Sequence, residues 1–314
     1  MTYLDNAFVS KLKNRCCQLA KSIALPEILD HRVLQAASNL ISERTVKFVH
    51  TANVRKEVIA ACEGHHVDFS ALEPHLRFIE GPTGETTLVT AGRLLNAGKV
   101  DAALAGAVST TAEVIRATIA TVGLAPGNKT VSGAFLMIKE IEDQTFQSFL
   151  FADSGVVIVP TEDQMIDIAR CSVETWQRIG DGSPPAVAFL SFSTKGSASH
   201  PLAEKVSTIA KKFNSLYPEI TSSGEIQFDA AINPEIGQRK CPGDPLAGKA
   251  NILIFPDLNS GNIGYKIAQY LGGFQAFGPI LQGTNKPYSD LSRGASVEDI
   301  MVSTYISIIR SEQS

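Results

Sequence analysis

The 314-residue chain is 44% hydrophobic and 19% charged, with a formal net charge of -4. That is ample apolar material for one large or two medium domains, and it excludes the charge-rich, core-poor composition of a disordered chain. Lys and Arg are scattered rather than clustered, so no basic field awaits nucleic acid or anionic lipid, and an anionic ligand must be caught by local groups.

Residues 7–20 place apolar side chains at helical spacing, and the run Ser22 to Pro26 is short, apolar and stopped by proline, as a buried parallel strand would be. Residues 30–42 return to helix, 46–50 to strand and 86–97 to helix, before the apolar run 100–107. This alternation predicts an α/β chain with mostly parallel strands. After Pro126-Gly127 a second series begins: strands at 134–138 and 148–152, a helix at 161–179, a strand at 186–192, a helix at 200–214, a short strand near Ile226, a strand at 250–256 and a helix at 261–271. A Gly- and Pro-rich stretch, 272–294, precedes the last strong helix, Val297 to Arg310. A terminal helix of this kind packs back onto the first domain. The expected division is therefore a discontinuous first domain, 1–126 plus 279–314, around a second of 127–278.

Cys16, Cys17, Cys62, Cys171 and Cys241 form no C-x-x-C pair and have no histidine at zinc-ligand spacing. Neither a disulfide framework nor a metal cage is expected, and the compartment reads as reducing. The first 25 residues are interrupted by Asp5, Lys11, Lys13, Arg15 and Lys21, and nowhere is there an uncharged apolar run of bilayer length. The expectation is a cytoplasmic protein without a membrane partner.

Four segments carry candidate chemistry. In Asp290 to Asp299, DLSRGASVED, a hydroxyl, a guanidinium and a glycine stand immediately before a helix, and free N–H groups at a helix start together with an arginine fork bind phosphate oxygens well. Ser292 and Arg293 read as an oxyanion or phosphate cradle. The alternative is structural: Ser296 caps the helix and Asp299 completes a capping box. In the second segment, Gly106 to Arg116, a buried strand ends at glycine and Ser109, Thr110 and Thr111 lead into a helix carrying Arg116. The hydroxyls can hold a phosphate at a strand's carboxyl end, or can simply cap the helix. The third, Leu190 to Ser197, is a strand running into a hydroxyl-rich turn with Lys195 and lacks the Walker spacing. The fourth, Phe255 to Lys266, follows a strand with polar groups and two glycines, among them Asn262, Tyr265 and Lys266, but lacks the first glycine of a dinucleotide fingerprint. Trp176 lies on a helical apolar face and reads as core.

Seven motifs occur in order from Phe151 to Met301: FADSG, LSFSTKGSASHPL, GEIQFDAAINPE, DPLAGKAN, IFPDLNSGNIGYKIAQ, GPILQG and DLSRG, with IALPE at 23–27 near the start. Together they resemble the phosphate acetyltransferase (phosphotransacetylase) family, including its ethanolamine-utilisation branch. The resemblance implies two three-layer α/β/α domains with an interdomain cleft, a homodimer, and reversible acetyl transfer between acetyl phosphate and coenzyme A by thiolate attack in a ternary complex. Inorganic phosphate is then a product, coenzyme A or acetyl-CoA is a substrate, and no cofactor is tightly bound and no metal is used. Matched residue by residue, it implies Asp299 as the base that takes the thiol proton, Ser292 as the group that orients the thiol or stabilises the oxyanion, and Arg293 as the ligand of phosphoryl or carbonyl oxygens. Arg116 would contact coenzyme A or phosphate. Ser109, Thr110, Thr111, Asn262, Tyr265, Lys266 and Gly294 are the further candidate substrate-binding residues.

The sequence also departs from the family pattern. Residues 67–85 are shorter and lack its R-K-H-K-G segment, so no coenzyme A role is transferred to Arg77; Ser289 stands where asparagine is usual. A propionyl or butyryl transferase, or a non-catalytic homologue that binds coenzyme A, is the alternative reading.

Overall fold

The structure is a computed structural model that describes residues 6–142 and 145–312. Residues 1–5 and 313–314, which belong to the first expected domain, lie outside the described residues. In chain order the elements are α1 (Ala7–Leu19), β1 (Ser22–Ala24), α2 (His31–Ser42), β2 (Phe48–Thr51), α3 (Arg55–Gly64), α4 (Phe69–Leu72), β3 (Leu76–Phe78), α5 (Thr87–Asn96), β4 (Ala102–Ala105) and α6 (Thr111–Thr121). There follow β5 (Ser132–Glu142), β6 (Thr145–Ala152), α7 (Glu162–Ile179), β7 (Ala186–Leu190), α8 (Pro201–Leu216), β8 (Thr221–Ile226), α9 (Phe228–Ile232), α10 (Pro234–Lys240), β9 (Ile252–Ile254), α11 (Leu258–Tyr270), β10 (Gln275–Gln282), β11 (Tyr288–Asp290) and α12 (Val297–Arg310). Contacts divide the chain into two compact units, Met1–Gly127 with Phe277–Ser314, and Asn128–Ala276. Each is a mixed α/β unit of α/β/α-like layering.

The first unit is built on a parallel sheet of order β11-β4-β1-β2-β3. Its central strands are fully buried: every residue of β4 is, as are Ile23 and Ala24 of β1. Strands covered on both faces need helices above and below, which is why α/β alternation and continuous apolar runs occur together. Helix α12 is the largest contributor. Residues Ile300 to Ile309 are all buried, and the helix packs on α1, α2, β1, β4 and β11. Its buried hydroxyls are satisfied locally, Thr304 Oγ1 donating to Ile300 O at 2.9 Å, and Ser307 Oγ lying 2.7 Å from both Ser303 O and Ser289 Oγ.

The second unit carries the strand run β5-β6-β9-β7-β8. Strand β6 follows β5 too closely for a crossover, so that pair is antiparallel, while β6-β9, β9-β7 and β7-β8 are parallel. Trp176 of α7 is buried and its Nε1 donates to Ser183 O at 3.0 Å, as a core tryptophan with one satisfied polar atom should.

Several boundaries move from their expected positions. Strand β2 starts at Phe48 rather than 46, because Thr45 N still bonds back to Leu40 O. Helix α11 starts at Leu258 rather than 261. Asp257 caps it by accepting Ser260 N at 2.8 Å, a signal hidden in a polar stretch that reads as loop. Helix α3 and strand β3 have no clear sequence signal; α3 buries only Val58 and Cys62, too thin a stripe to read. Within the short 67–85 region, Arg77 lies 3.8 Å over the Phe48 ring and donates to Pro74 O and Leu76 O, so it is used locally. All five cysteines are free, and among the described residues no helix is long and apolar enough to cross a membrane.

Candidate active site

Three adjacent parallel strands of the first unit, β1, β4 and β11, end side by side. Their carboxyl ends deliver Glu27, the turn Gly106 to Ser109, and the segment Asp290 to Gly294. The region just beyond strand ends is where open α/β sheets place ligands. The three segments are joined by short hydrogen bonds, and a positive φ of 104° at Gly106 lets two of them meet. A Cβ there would fall 2.3 Å from Asp290 Oδ1 and 2.7 Å from the Leu291 amide nitrogen and carbonyl oxygen.

The turn after β4 differs from its expected use. Its backbone N–H groups do form an anion nest, but the anion is Glu27. Gly106 N and Ala107 N donate to Glu27 Oε2 at 2.8 Å and Val108 N at 3.3 Å, while Ser109 N donates to Oε1 at 2.8 Å. Glu27 is buried, and four N–H donors are what make a buried carboxylate tolerable. These amides are therefore not available to a phosphate. Thr110 caps α6: its hydroxyl accepts Glu113 N at 3.3 Å, and its N–H and hydroxyl donate to Glu113 Oε2 at 2.8 Å. The structural reading of this capping box is the geometry present. The Thr110 N–H and hydroxyl, with Arg116 and Arg293 nearby, hold the Glu113 carboxyl below its ordinary range. Arg116 and Arg293 are both exposed, and the charges of both act on Glu113.

Asp290, the last residue of β11, is 1% exposed. Thr111 Oγ1 donates to its Oδ2 at 2.6 Å, and its Oδ1 has no hydrogen-bond partner. Burial pushes the carboxyl up to about 7, the Thr111 hydroxyl and Leu291 N–H opposing and the charge of Glu27 assisting. Beyond it Ser292, Arg293 and Gly294 are exposed. Gly294 N donates to Ser292 Oγ at 3.3 Å and Ala295 N to Ser292 O at 2.9 Å, folding the segment into a turn that leads directly into α12. At the helix start Asp299 Oδ2 accepts Ser296 N at 2.9 Å and Ser296 Oγ at 3.0 Å, and Ser296 Oγ accepts Asp299 N at 3.1 Å. The site thus presents a hydroxyl, a guanidinium and a helix-start carboxylate, in one short segment, on a buried and densely hydrogen-bonded base.

Two members of that base were not singled out from sequence. Glu27 belongs to the IALPE segment, where a carboxylate directly after Pro26 at a buried strand's end was the available signal. Arg32, at the start of α2, has all five guanidinium N–H donors engaged with Asp30, Ala107, Arg293 and Ala295. Nothing near it in sequence announces those partners.

Asn262, Tyr265 and Lys266 lie on α11 of the second unit. Asn262 Nδ2 donates to Ser154 O at 3.2 Å; the Tyr265 ring stacks on Phe135 with centroids 3.9 Å apart; Lys266 is exposed. The motifs of this unit chiefly hold each other. Asp153 of FADSG accepts N–H groups of Gly133, Gly155, Val156 and Val157, and the carbonyl of Asp153 would stand 2.2 Å from a Cβ at Gly261. Lys195 of the hydroxyl-rich turn bonds Ser223 and Asp244, and Glu225 accepts Ser193 Oγ and Gly196 N. That turn is a folded joint, its lysine and hydroxyl groups engaged with neighbours in the same unit. Among the described residues no group of three or more His, Cys, Asp or Glu is arranged to hold a metal ion.

The family description "Phosphate acetyl/butaryl transferase" matches residues 83–308 of the chain. The chain is 36% identical to the phosphate acetyltransferase of Acetivibrio thermocellus, an alignment covering 98% of each. Its fold matches the EutD phosphotransacetylase from Staphylococcus aureus with a TM-score of 0.87 at 32% identity, covering 98% of both chains. A phosphotransacetylase from Streptococcus pyogenes matches with a TM-score of 0.88 at 32% identity, over 97% of this chain and 98% of that one.

Proposed function

Because this chain belongs to the phosphate acetyltransferase family and transfers acetyl groups between acetyl phosphate and coenzyme A, we propose that Asp299, Ser292 and Arg293 carry out that transfer by direct thiolate attack in a ternary complex. The observation that supports this reading is the exposed Ser292-Arg293-Gly294 turn, held on buried braces and leading into the helix that starts beside Asp299.

A coenzyme A thiol of ordinary pKa, near 8.5, is mostly protonated at neutral pH and needs a base to become a nucleophile. Asp299 takes that proton. The sulfur attacks the acetyl carbonyl, a C–S bond forms, and the tetrahedral intermediate collapses with cleavage of the C–O bond to phosphate, which leaves as the anion. Ser292 Oγ orients the thiol or donates to the oxyanion, and Arg293 binds the phosphoryl and carbonyl oxygens as charge builds on them. Arg116, whose charge acts with that of Arg293 on Glu113, binds coenzyme A or phosphate. Ser109 and Gly294 line the substrate, and Thr110 and Thr111 shape its wall through the bonds they already make; Asn262, Tyr265 and Lys266 of the second unit are substrate-binding residues on the family resemblance. The domain division at 1–126 plus 279–314 and 127–278 belongs to the same reading, supported by the way contacts segregate.

The protein acts as a homodimer without a tightly bound cofactor. Support for a second copy comes from α11, where Ile263, Ile267 and Tyr270 are exposed, and from Leu271 just after it, beside a cavity of about 690 Å³ whose lining includes Phe149, Phe192, Phe228, Ile232 and Phe274. Apolar surface of this extent on an isolated unit marks an interaction site. Five free cysteines support a reducing, cytoplasmic setting.

Initial-rate kinetics test the ternary complex. Intersecting double-reciprocal lines, with no exchange of labelled phosphate into acetyl phosphate without coenzyme A, are expected. Parallel lines with such exchange would mean an acetyl-enzyme instead.

A further inference from the structure

We propose that Arg32 is a positioning residue for acyl transfer: its guanidinium fixes the backbone on both sides of Gly294 against the turn after β4, and turnover depends on that fork. The proposal rests on the reading that Ser292 and Arg293 act on the substrates.

Arg32 is the second residue of α2, and the N-cap of that helix is Asp30. Arg32 Nε and Nη2 donate to Asp30 Oδ1 and Oδ2, both at 3.0 Å, a bidentate pair that fixes the plane of the guanidinium. The other three N–H groups leave the pair for backbone carbonyls. Nη2 donates to Ala107 O at 2.8 Å, and Nη1 donates to Arg293 O at 2.7 Å and Ala295 O at 3.0 Å. One side chain therefore ties a helix start, the turn whose amides hold Glu27, and the segment that presents Ser292 and Arg293.

The need for the tie follows from the segment itself. Ser292, Arg293 and Gly294 are exposed, and glycine at its centre gives the chain wide conformational freedom. Fixing the carbonyls of Arg293 and Ala295 removes rotations on both sides of Gly294 and so sets where the Arg293 side chain leaves the backbone. The Arg32 side chain is 20% exposed: four of its five hydrogen bonds are part-buried, and the one to Arg293 O lies at the surface. Lysine keeps the charge but has three donors at a single point, which cannot span Asp30, Ala107, Arg293 and Ala295 together.

The test is a kinetic cycle on the full-length protein with acetyl phosphate and coenzyme A, using Arg32→Lys, Arg293→Ala and the double variant, with melting temperature followed throughout. Arg32→Lys is expected to lower kcat about 10- to 100-fold, as displacement of a reacting group by about 1 Å does, with the KM for coenzyme A within roughly threefold. In the Arg293→Ala background the same substitution is expected to change kcat by less than about threefold, because the group it places is gone. Asp30→Asn, which removes the charge that orients the fork and leaves the three carbonyls, gives a smaller loss of kcat and covers the case in which Arg32→Lys does not fold. Wild-type kcat in Arg32→Lys, or effects of Arg32→Lys and Arg293→Ala that multiply in full, would overturn the proposal while leaving the site reading in place. Near-normal turnover by Arg293→Ala would overturn the site reading itself.

Discussion

Thr111 Oγ1 donates a 2.6 Å hydrogen bond to Asp290 Oδ2, tying the first residue of α6 to the last residue of β11. It satisfies one oxygen of a buried carboxyl whose other oxygen has no partner.

That carboxyl makes stability pH-dependent with a definite sign. Its value in the folded chain is about 7 against an ordinary 3.8, so between these pH values the folded state holds a proton that the unfolded state has released. The stabilisation is present in full below about 4 and is lost as pH rises through 7, on the order of 2–4 kcal/mol across the window. In Asp290→Asn the side chain is neutral throughout. The stability of the variant relative to wild type should therefore rise between pH 5 and pH 8 in urea unfolding. Curves that stay parallel across that range would show that Asp290 does not titrate there.

Glu27→Ala leaves four N–H groups between Gly106 and Ser109 without their acceptor, two of them buried and two part-buried. A loss of about 3–5 kcal/mol is expected, since removing one partner of a buried charged cluster costs far more than the cluster contributes net. Glu27→Gln retains one carbonyl acceptor and should lose less. Equal melting temperatures for wild type and Glu27→Ala would contradict the nest.

Gly106→Ala places a methyl group 2.3 Å from Asp290 Oδ1 at a backbone conformation that disfavours L side chains. Destabilisation of more than about 2 kcal/mol and a fall in turnover are expected together, because the same contact joins the β4 turn to the Asp290 segment. Calorimetry and a turnover assay on one preparation check both.

The two proposed roles of Asp299 separate by substitution. Asp299→Asn keeps an acceptor for Ser296 and removes the base, so turnover should fall about 10²- to 10⁴-fold with little change in melting temperature. Ser296→Ala breaks the same capping box from its other side and should cost about 1 kcal/mol of stability while turnover persists. The reverse pattern would leave Asp299 as a cap alone.

The sequence made α12 legible because its cap, its acidic first turn and its apolar run all point the same way. It also displayed Ser292, Arg293 and Asp299, which are neighbours in the chain. What it hid was the base of the site. Glu27 meets Gly106 across 79 residues and Arg32 meets Arg293 across 261, through backbone groups that every residue possesses. Local pattern carries no trace of such acceptors. The turn after β4 read as hydroxyls that hold a phosphate or cap a helix; its backbone nest for Glu27 was not legible, since the occupant comes from another strand. In the second unit, the same logic turns the Lys195 turn from a candidate segment into an internal joint, and FADSG is another joint, held through Asp153.

The most direct test of the site is turnover of Arg293→Ala, followed as coenzyme A-dependent thioester formation from acetyl phosphate by protein whose melting temperature matches wild type. Arg293 is exposed, so the fold should survive its truncation, and the rate should drop about 10²- to 10³-fold, the loss usual for one donor aimed at transition-state charge. Turnover within a few-fold of wild type would contradict the assignment of acyl transfer to this segment.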